Sequence, residues 1–277
     1  MQNEIIKKIL TNFKFDYYLI STQNINFFNK FTFLWRKYYS ILLNKRKIKY
    51  LRNDFYYDNR FSPAILENYP REISDIDKAI NLSKIKNVLD IGANIGQFSF
   101  TLKSLYPLIH IYAFEPNKEI YPILEKNAAN FKNLYTYNFG LGNKTGMKDF
   151  YFSQTASAEG SLYKENMNQN YVRKDVKKTK VKIMKLTPKI IKKLNIPQKI
   201  DFVKIDVEGA EVDVLKSLKI IDFDYLYIEI SVKRKGEGNL KNIEEFLRKE
   251  KKIQPKLIYY NLPDKDSPCA NAIFSLK

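Results

Sequence analysis

Cysteine and histidine are almost absent from this chain, and their scarcity excludes several kinds of site. The 277 residues include one cysteine, Cys269, and one histidine, His110. A single cysteine excludes an internal disulfide, and a single histidine excludes a histidine-rich zinc site. A Ser-His-Asp triad would depend on His110, which begins an apolar strand pattern and is therefore expected to be structural. Cys269 is expected as a small buried residue at the far end of the predicted sheet.

Long apolar runs are also missing. Lysine, asparagine or aspartate interrupts each apolar run before it reaches the ~18 residues that a membrane-spanning helix needs. The segment that starts at Met1 lacks the basic, apolar and cleavage regions of a secretory signal, so we expect a cytoplasmic location. Hydrophobic residues make up 44% of the chain and aromatic residues 14%, which excludes general disorder and predicts a substantial core.

Positive charge is in large excess. Lysine and arginine number 48 against 30 aspartates and glutamates, which gives a formal charge of +18. Such a field attracts nucleic acid, anionic membrane surfaces and acidic glycans. The excess is spread along the chain and is mostly lysine, so a compositional bias explains it about as well as a polyanionic partner does. The charge alone therefore does not identify a partner.

The first part of the chain differs in texture from the rest. Residues 1–80 contain no glycine and many aromatic residues, and we predict that they form a helical amino-terminal extension. Apolar residues from Ile25 to Lys49 recur at intervals of three and four, which predicts an amphipathic helix. That helix either covers the main domain or contacts an anionic membrane surface or a partner.

Residues 81–277 are predicted to form an α/β domain. Strands alternate with helices, which predicts a mostly parallel sheet whose ligand lies at the carboxyl ends of the strands. The last two strands have no helix between them and are expected to close the sheet as an antiparallel hairpin. A further hairpin is predicted between 134–139 and 148–153, and residues 154–170 are predicted to be a polar loop. The other predicted strands span residues 87–91, 110–114, 181–186, 200–206, 225–231, 256–260 and 271–276.

The stretch "VLDIGANIGQF" (88–98) places a glycine turn between a strand and a helix. This arrangement is typical of nucleotide sites, because backbone N–H groups and the helix dipole converge there. Gly92 and Gly96 are four residues apart, unlike the G-x-G-x-x-G spacing of dinucleotide enzymes, and Asp90 would repel a pyrophosphate. A carboxylate at this point suits the ammonium and sulfonium groups of S-adenosylmethionine. Glu115, at the end of the next strand, is placed to accept hydrogen bonds from both hydroxyls of a ribose.

A second acidic segment, "KIDVEGAE" (204–211), follows another apolar strand. Asp206 and Glu208 should therefore reach the same edge of the sheet as the glycine turn. Carboxylates there can orient a substrate hydroxyl, accept its proton or bind a hard cation. Asp206 is the preferred candidate base, with Glu208 or Glu229 as the second candidate. The alternative is that one or both acids cap the following helix.

These motifs together resemble the FkbM-type S-adenosylmethionine-dependent methyltransferases. The resemblance covers about residues 87–276 and is carried by "VLDIGANIGQFS", "AFEPN", "NFGLGNKTG", "FVKIDVEGAEVDVL" and "YIEIS". It implies the class I methyltransferase fold with a seven-stranded sheet, and O-methylation of hydroxyls on sugars or polyketide-like molecules. It implies that Asp90, Gly92, Asn94 and Gly96 form the cofactor loop and that Glu115 binds the ribose. It also implies that Leu141 lies near the adenine and that Asp206 borders the methyl-transfer pocket.

Two other functions stay open at this point. An RNA or DNA methyltransferase would have a similar cofactor site and a favourable charge. The sequence lacks the [N/D]-P-P-[Y/F/W] motif of adenine-N6 enzymes, because Asp206-Val-Glu-Gly stands at that position. A non-catalytic protein that binds a partner through its amino-terminal helix fits less well, since the polar loop residues are intact. A divalent cation held by carboxylates is compatible with the sequence, although no metal motif demands one.

Overall fold

The structure is a computed structural model that describes residues 46–58, 66, 68–153, 160–168, 176–231, 238–262 and 269–277. The strands, in chain order, are β1 (Lys47–Tyr50), β2 (Asn53–Tyr56), β3 (Asn87–Ile91), β4 (His110–Phe114), β5 (Leu134–Tyr137), β6 (Gly140–Leu141), β7 (Gly146–Ser153), β8 (Gly160–Ser161), β9 (Val176–Met184), β10 (Lys199–Ile205), β11 (Asp222–Ser231), β12 (Lys256–Asn261) and β13 (Cys269–Ser275). The α-helices are α1 (Tyr69–Ile80), α2 (Gln97–Leu105), α3 (Tyr121–Ala128), α4 (Pro188–Lys193), α5 (Glu211–Ser217) and α6 (Leu240–Glu250).

The predicted seven-stranded, mostly parallel sheet is confirmed. Its strand order is β12-β13-β11-β10-β3-β4-β5, and β13 runs antiparallel to both of its neighbours. The remaining pairs in the sheet are parallel, so the carboxyl ends of β3, β4, β10 and β11 lie at one edge. The order reverses between β3 and β10, where open α/β sheets bind their ligands.

Helices cover both faces of this sheet. Apolar side chains of α1 and α2, among them Ile76 and Phe98, pack against Val88 and Phe202 on one face. On the other face, α5 and α6 pack through Leu215 and Leu247 against strand residues. Because both faces are covered, the strands can be apolar on both sides.

The predicted helix from Ile25 to Lys49 is wrong at its carboxyl end. Residues 25–45 lie outside the described residues, but Lys47–Tyr50 is a strand paired with Asn53–Tyr56. Leu51 and Arg52 form the two-residue turn with φ of 44° and 71°. Such turns usually carry Asn-Gly or Asp-Gly, so the sequence offered no hairpin signal. The packing of Tyr50 and Phe55 against Phe100 stabilises the hairpin despite the helical spacing of the apolar residues.

A second, four-stranded sheet with order β6-β9-β7-β8 lies beside the first. The predicted hairpin between 134–139 and 148–153 is wrong, because β5 belongs to the large sheet whereas β7 pairs antiparallel with β9. A buried cluster of Phe150, Phe152, Val181 and Ile183 holds β7 and β9 together. The predicted polar loop at 154–170 contains β8 and a short 3-10 helix at Lys164–Asn168.

None of the helices in the described ranges combines the length and the hydropathy of a membrane-crossing segment.

Candidate active site

An open cleft with about 950 Å³ of empty space lies at the carboxyl edge of the large sheet. The loop after β3, the residues that follow β4 and β10, and side chains of the second sheet line it. Of the nine residues predicted for the site, six line the cleft: Gly92, Asn94, Glu115, Leu141, Asp206 and Glu208. Gly96 belongs to the same loop as Gly92 and Asn94 but, like Asp90 and Glu229, does not line the cleft.

The loop between β3 and α2 depends on residues with positive φ. Gly92, Asn94 and Gly96 have φ of 83°, 53° and 93°. A Cβ on Gly92 would lie 1.9 Å from the backbone oxygen of Asp206. Only glycine therefore allows the loop to approach β10 this closely, and the approach brings the predicted cofactor loop and the candidate base to one wall of the cleft.

The backbone N–H groups of this loop are engaged within the protein. Gly92 and Ala93 both donate to the oxygen of Phe114 at 3.0 Å. Asn94 donates to Glu115 Oε2 at 2.9 Å, and Ile95 donates to Asn94 Oδ1 at 2.7 Å. Gly96 donates to Ala93 O, so each N–H from 92 to 96 has a protein acceptor. In a pyrophosphate site such donors point at the ligand. In this loop the N–H groups are instead directed at acceptors within the protein.

Asp90 lies beneath the loop and is fully buried. Ser99 Oγ donates to its Oδ2 at 2.6 Å, and Lys204 Nζ lies 3.2 Å from its Oδ1. The paired register of β10 and β3 places Lys204 directly beside Asp90 on the same face of the sheet. Asp90 therefore contacts α2 through Ser99 and also contacts Lys204, which lines the cleft. Its influence on the cleft is indirect.

Glu115 follows β4 and is 5% exposed. Its Oε2 accepts a hydrogen bond from the backbone of Asn94, and its Oε1 accepts one from Asn117 at 2.7 Å. Burial raises the pKa of Glu115 to about 7, although these two hydrogen bonds oppose the rise. Each oxygen retains further accepting capacity toward the cleft. Leu141, at the end of β6, is buried in the same wall.

The three candidate bases come together. One carboxylate oxygen from each of Asp206, Glu208 and Glu229 lies within 4.8 Å of the other two. Asp206 and Glu208 line the cleft, whereas Glu229 lies on β11 and accepts a hydrogen bond from Cys269 Sγ at 2.8 Å. Burial raises the pKa of Glu229 to about 8, and the charge of Asp206 adds to the rise. Three carboxylate oxygens at this spacing are also a suitable ligand type for a divalent cation.

The expectation for Cys269 is wrong, whereas His110 lies at the amino end of its strand as predicted. Cys269 begins β13 opposite Ser231, so the antiparallel pairing brings it to the carboxyl edge beside Glu229. It is only partly buried. His110 begins β4 and lies at the opposite edge of the sheet.

Sequence reasoning missed Lys204, which lines the cleft and is 5% exposed. Its ammonium lies 3.2 Å from Asp90 and 3.3 Å from Asp206. Burial alone would lower the pKa of Lys204, but the charges of Asp90 and Asp206 outweigh burial and raise it above its usual value. The available signal was a lysine inside an otherwise apolar strand, since such a residue needs a partner when it is buried.

Two residues of α1 were also missed. Tyr69 lines the cleft, and Glu72 accepts a hydrogen bond from Tyr227 Oη at 2.9 Å. Burial raises the pKa of Glu72 to about 7, against the opposing charge of Lys204. Nothing in the local sequence distinguishes these residues from an ordinary helix start, and the hydrogen-bond partner of Glu72 lies 155 residues away in the chain.

This chain matches both a protein-family model and individual methyltransferases. The family model described as "Methyltransferase FkbM domain" matches residues 90–253, which is more than half of the chain. "Methyltransferase 1" of Beauveria bassiana is 28% identical over 184 residues, covering 61% of this chain and 74% of that relative. "Methyltransferase sdnD" of Sordaria araneosa is 30% identical over 161 residues, covering 50% of this chain and 62% of that relative.

Solved structures show a weaker likeness. The methyltransferase domain of METTL16 aligns with a TM-score of 0.48 at 13% identity, over 79% of this chain and 71% of that one. Aeropyrum pernix fibrillarin with natively bound S-adenosyl-L-methionine aligns with a TM-score of 0.46 at 11% identity, over 83% and 81%.

Proposed function

Because this chain belongs to the FkbM methyltransferase family and is an S-adenosylmethionine-dependent methyltransferase, we propose that it methylates a hydroxyl oxygen of a sugar, a glycan or a related small molecule. The observation that carries the proposal is the position of Asp206. Its carboxylate faces the cleft directly beside the loop of Gly92, so that a proton acceptor and the methyl donor site share one wall.

The residues of the cleft fit the donor. S-adenosylmethionine supplies a methyl group on a positively charged sulfur that is a good leaving group. Glu115 would accept hydrogen bonds from the ribose hydroxyls, and Leu141 would contact the adenine. The charged residues that line the cleft are three carboxylates and Lys204, so an excess of negative charge faces a cationic ligand within a protein of net charge +18.

The chain's own part in the reaction is to position the acceptor and remove its proton. A hydroxyl is a weak nucleophile until a base accepts its proton in the transition state. Asp206 is the base in this proposal, because 43% of its side chain is exposed at the cleft. Glu208 is the second candidate and lines the same wall. Glu229 stands behind them, since it already accepts a hydrogen bond from Cys269.

The rest of the lining supports an uncharged acceptor. Tyr69, Phe98, Phe150 and Leu162 present aromatic and apolar surface to the cleft. Such surface suits the flat apolar face of a sugar or a polyketide ring. Phosphate groups would meet Asp206 and Glu208 at the same place, and this repulsion disfavours a nucleic-acid acceptor.

Donor binding and acceptor choice can be tested separately. We expect the purified chain to bind S-adenosylhomocysteine in calorimetry, and Glu115→Ala to weaken that binding by about tenfold or more, since a hydrogen bond to a charged group is worth about 1.5–3 kcal/mol. Labelled donor is then offered with panels of sugars and glycans, of polyketides and of RNA. Label in a hydroxylated small molecule supports the proposal, whereas label confined to RNA contradicts it.

The net charge is the one observation that favours the RNA alternative. A divalent cation is a separate question, for which Asp206, Glu208 and Glu229 would be the ligands. Comparison of initial rates after chelation and after return of Mg²⁺ or Mn²⁺ would decide whether the reaction needs one.

A further inference from the structure

Among the described residues that line the cleft, Lys204 is the one basic residue. It forms ion pairs with two carboxylates. Its Nζ lies 3.2 Å from Asp90, which is fully buried, and 3.3 Å from Asp206, which reaches the cleft. The ammonium also lies 5.4 Å from the centre of the Phe98 ring. The ammonium therefore has a neighbour on each of three sides.

The charges in this group do not cancel. One ammonium faces two carboxylates, and Glu208 and Glu229 lie within 4.8 Å of Asp206. A carboxylate in such surroundings has a strong attraction for any further positive charge. The methyl donor brings two, on its α-ammonium and on its sulfonium. Without a competing cation, Asp206 would turn toward the donor instead of the acceptor.

We propose that Lys204 is a positioning residue that pairs with Asp90 and Asp206 together and so keeps the Asp206 carboxylate available to the acceptor hydroxyl instead of the positive charges of the donor. This inference rests on the proposed function of the same site. Lys204 has no contact with reacting atoms in this role. It acts by fixing the direction of Asp206 and by balancing its charge.

The comparison of two ligands tests this role without an acceptor. S-adenosylmethionine and S-adenosylhomocysteine share the α-ammonium, but only the former has the sulfonium charge. The ratio of their affinities, measured by calorimetry, therefore reports how strongly the site attracts that charge. We expect Lys204→Met to raise the ratio about tenfold in favour of S-adenosylmethionine, because one positive charge is removed and tenfold corresponds to only about 1.4 kcal/mol of charge–charge interaction. Lys204→Arg keeps the charge and should leave the ratio within about threefold of the parent.

A matched control comes from the same strand. Lys199 begins β10 and also pairs with two aspartates, Asp222 and Asp224, but at the exposed opposite edge. Lys199→Met should not change the ratio. If Lys204→Met alters both affinities by the same factor, the residue is merely structural and the inference fails. If the parent protein binds neither ligand, the proposed function fails and this inference fails with it.

Lys204→Met leaves Asp90 as a buried charge and can prevent folding. The experiment is then made in an Asp90→Asn background, which removes that charge. There, adding Asp206→Asn to Lys204→Met should lower the affinity ratio about tenfold, whereas Asp206→Asn with Lys204 present should lower it less than threefold. Equal effects of Asp206→Asn with and without Lys204 would overturn the inference.

Discussion

The geometry of this site depends on the lack of a Cβ atom at Gly92. Its φ of 83° and the 1.9 Å approach of a hypothetical Cβ to the Asp206 backbone oxygen both require glycine. Because the obstacle is backbone and not a flexible side chain, a larger residue can be accommodated only by moving the loop away from β10. That movement would separate the donor site from the candidate base.

Gly92→Ala is therefore expected to destabilise the protein by roughly 2–4 kcal/mol and to abolish binding of S-adenosylhomocysteine. Urea unfolding and calorimetry measure the two effects. Gly146→Ala is the control, because no atom lies within 4 Å of a Cβ at that position. Its effect should stay within about 1 kcal/mol. Similar losses in both variants would contradict the geometric argument.

Glu115 gives a prediction about pH. Burial raises its pKa to about 7, so it is mostly protonated at pH 6 and mostly ionised at pH 8. The ionised form is the better acceptor for ribose hydroxyls. The affinity for S-adenosylhomocysteine should therefore increase about tenfold from pH 6 to pH 8 and level off above that, in line with one protonation step.

Glu115→Gln should make this affinity independent of pH over the same interval, because the amide does not titrate there. Glu119→Gln, at an exposed position four residues along the chain, serves as the control and should retain the dependence. Calorimetry in buffers of different ionisation enthalpy would also detect the proton released on binding. A flat profile in the parent protein would show that Glu115 does not meet the ribose.

At the scale of elements, Asn127 joins three parts of the fold. From the last turn of α3 it accepts a hydrogen bond from Tyr56 N at 2.7 Å and donates to Tyr56 O and to Ile95 O at 2.9 and 2.8 Å. The side chain is 1% exposed. It thus ties the β1–β2 hairpin to the cofactor loop, and it gives residues outside the family match an influence on the site.

Asn127→Ala leaves three backbone groups without these partners and is expected to cost about 2–4 kcal/mol of stability. It should also weaken donor binding, because Ile95 lies within the loop. Asn130→Ala is a suitable control, since Asn130 contacts the same hairpin through Asp54 O but is exposed. Its cost should be below about 1 kcal/mol. A donor affinity unchanged in Asn127→Ala would show that the hairpin is independent of the site.

At the scale of the whole molecule, the charge of the surface and the charge of the cleft have opposite signs. The chain carries +18, while the charged lining of the cleft is mostly carboxylate. Long-range attraction of polyanions is therefore separate from recognition in the cleft.

We expect RNA to bind this protein weakly and without sequence preference. Binding should fall more than about tenfold between 50 and 200 mM salt, because it depends on released counterions. Glu115→Ala should not change it, and competing RNA should not alter the affinity for S-adenosylhomocysteine. Filter binding and calorimetry measure these quantities. An RNA affinity that resists salt, or that depends on the donor, would favour the nucleic-acid alternative.

The sequence was sufficient for the large sheet and for the edge of that sheet at which most of the predicted site residues lie. The apolar runs that precede Asp90, Glu115 and Asp206 are short, strongly hydrophobic and bounded by polar residues, so their strands could be recognised locally. Since parallel strands share one carboxyl edge, the meeting of these residues with Glu229 followed from the order of the elements alone. The glycines of the loop were recognisable because few other residues adopt their backbone conformation.

Tertiary structure alone decided the rest. The pairing of β7 with β9, the place of Cys269 beside Glu229 and the hydrogen bond of Glu72 with Tyr227 join residues that are distant in the chain, and local patterns do not report such contacts. Lys204 is the clearest case. In the sequence it is a lysine that interrupts an apolar strand. Only the register of β10 against β3 brings its ammonium between Asp90 and Asp206. The reason is that packing determines which groups lie close enough to pair with a buried charge.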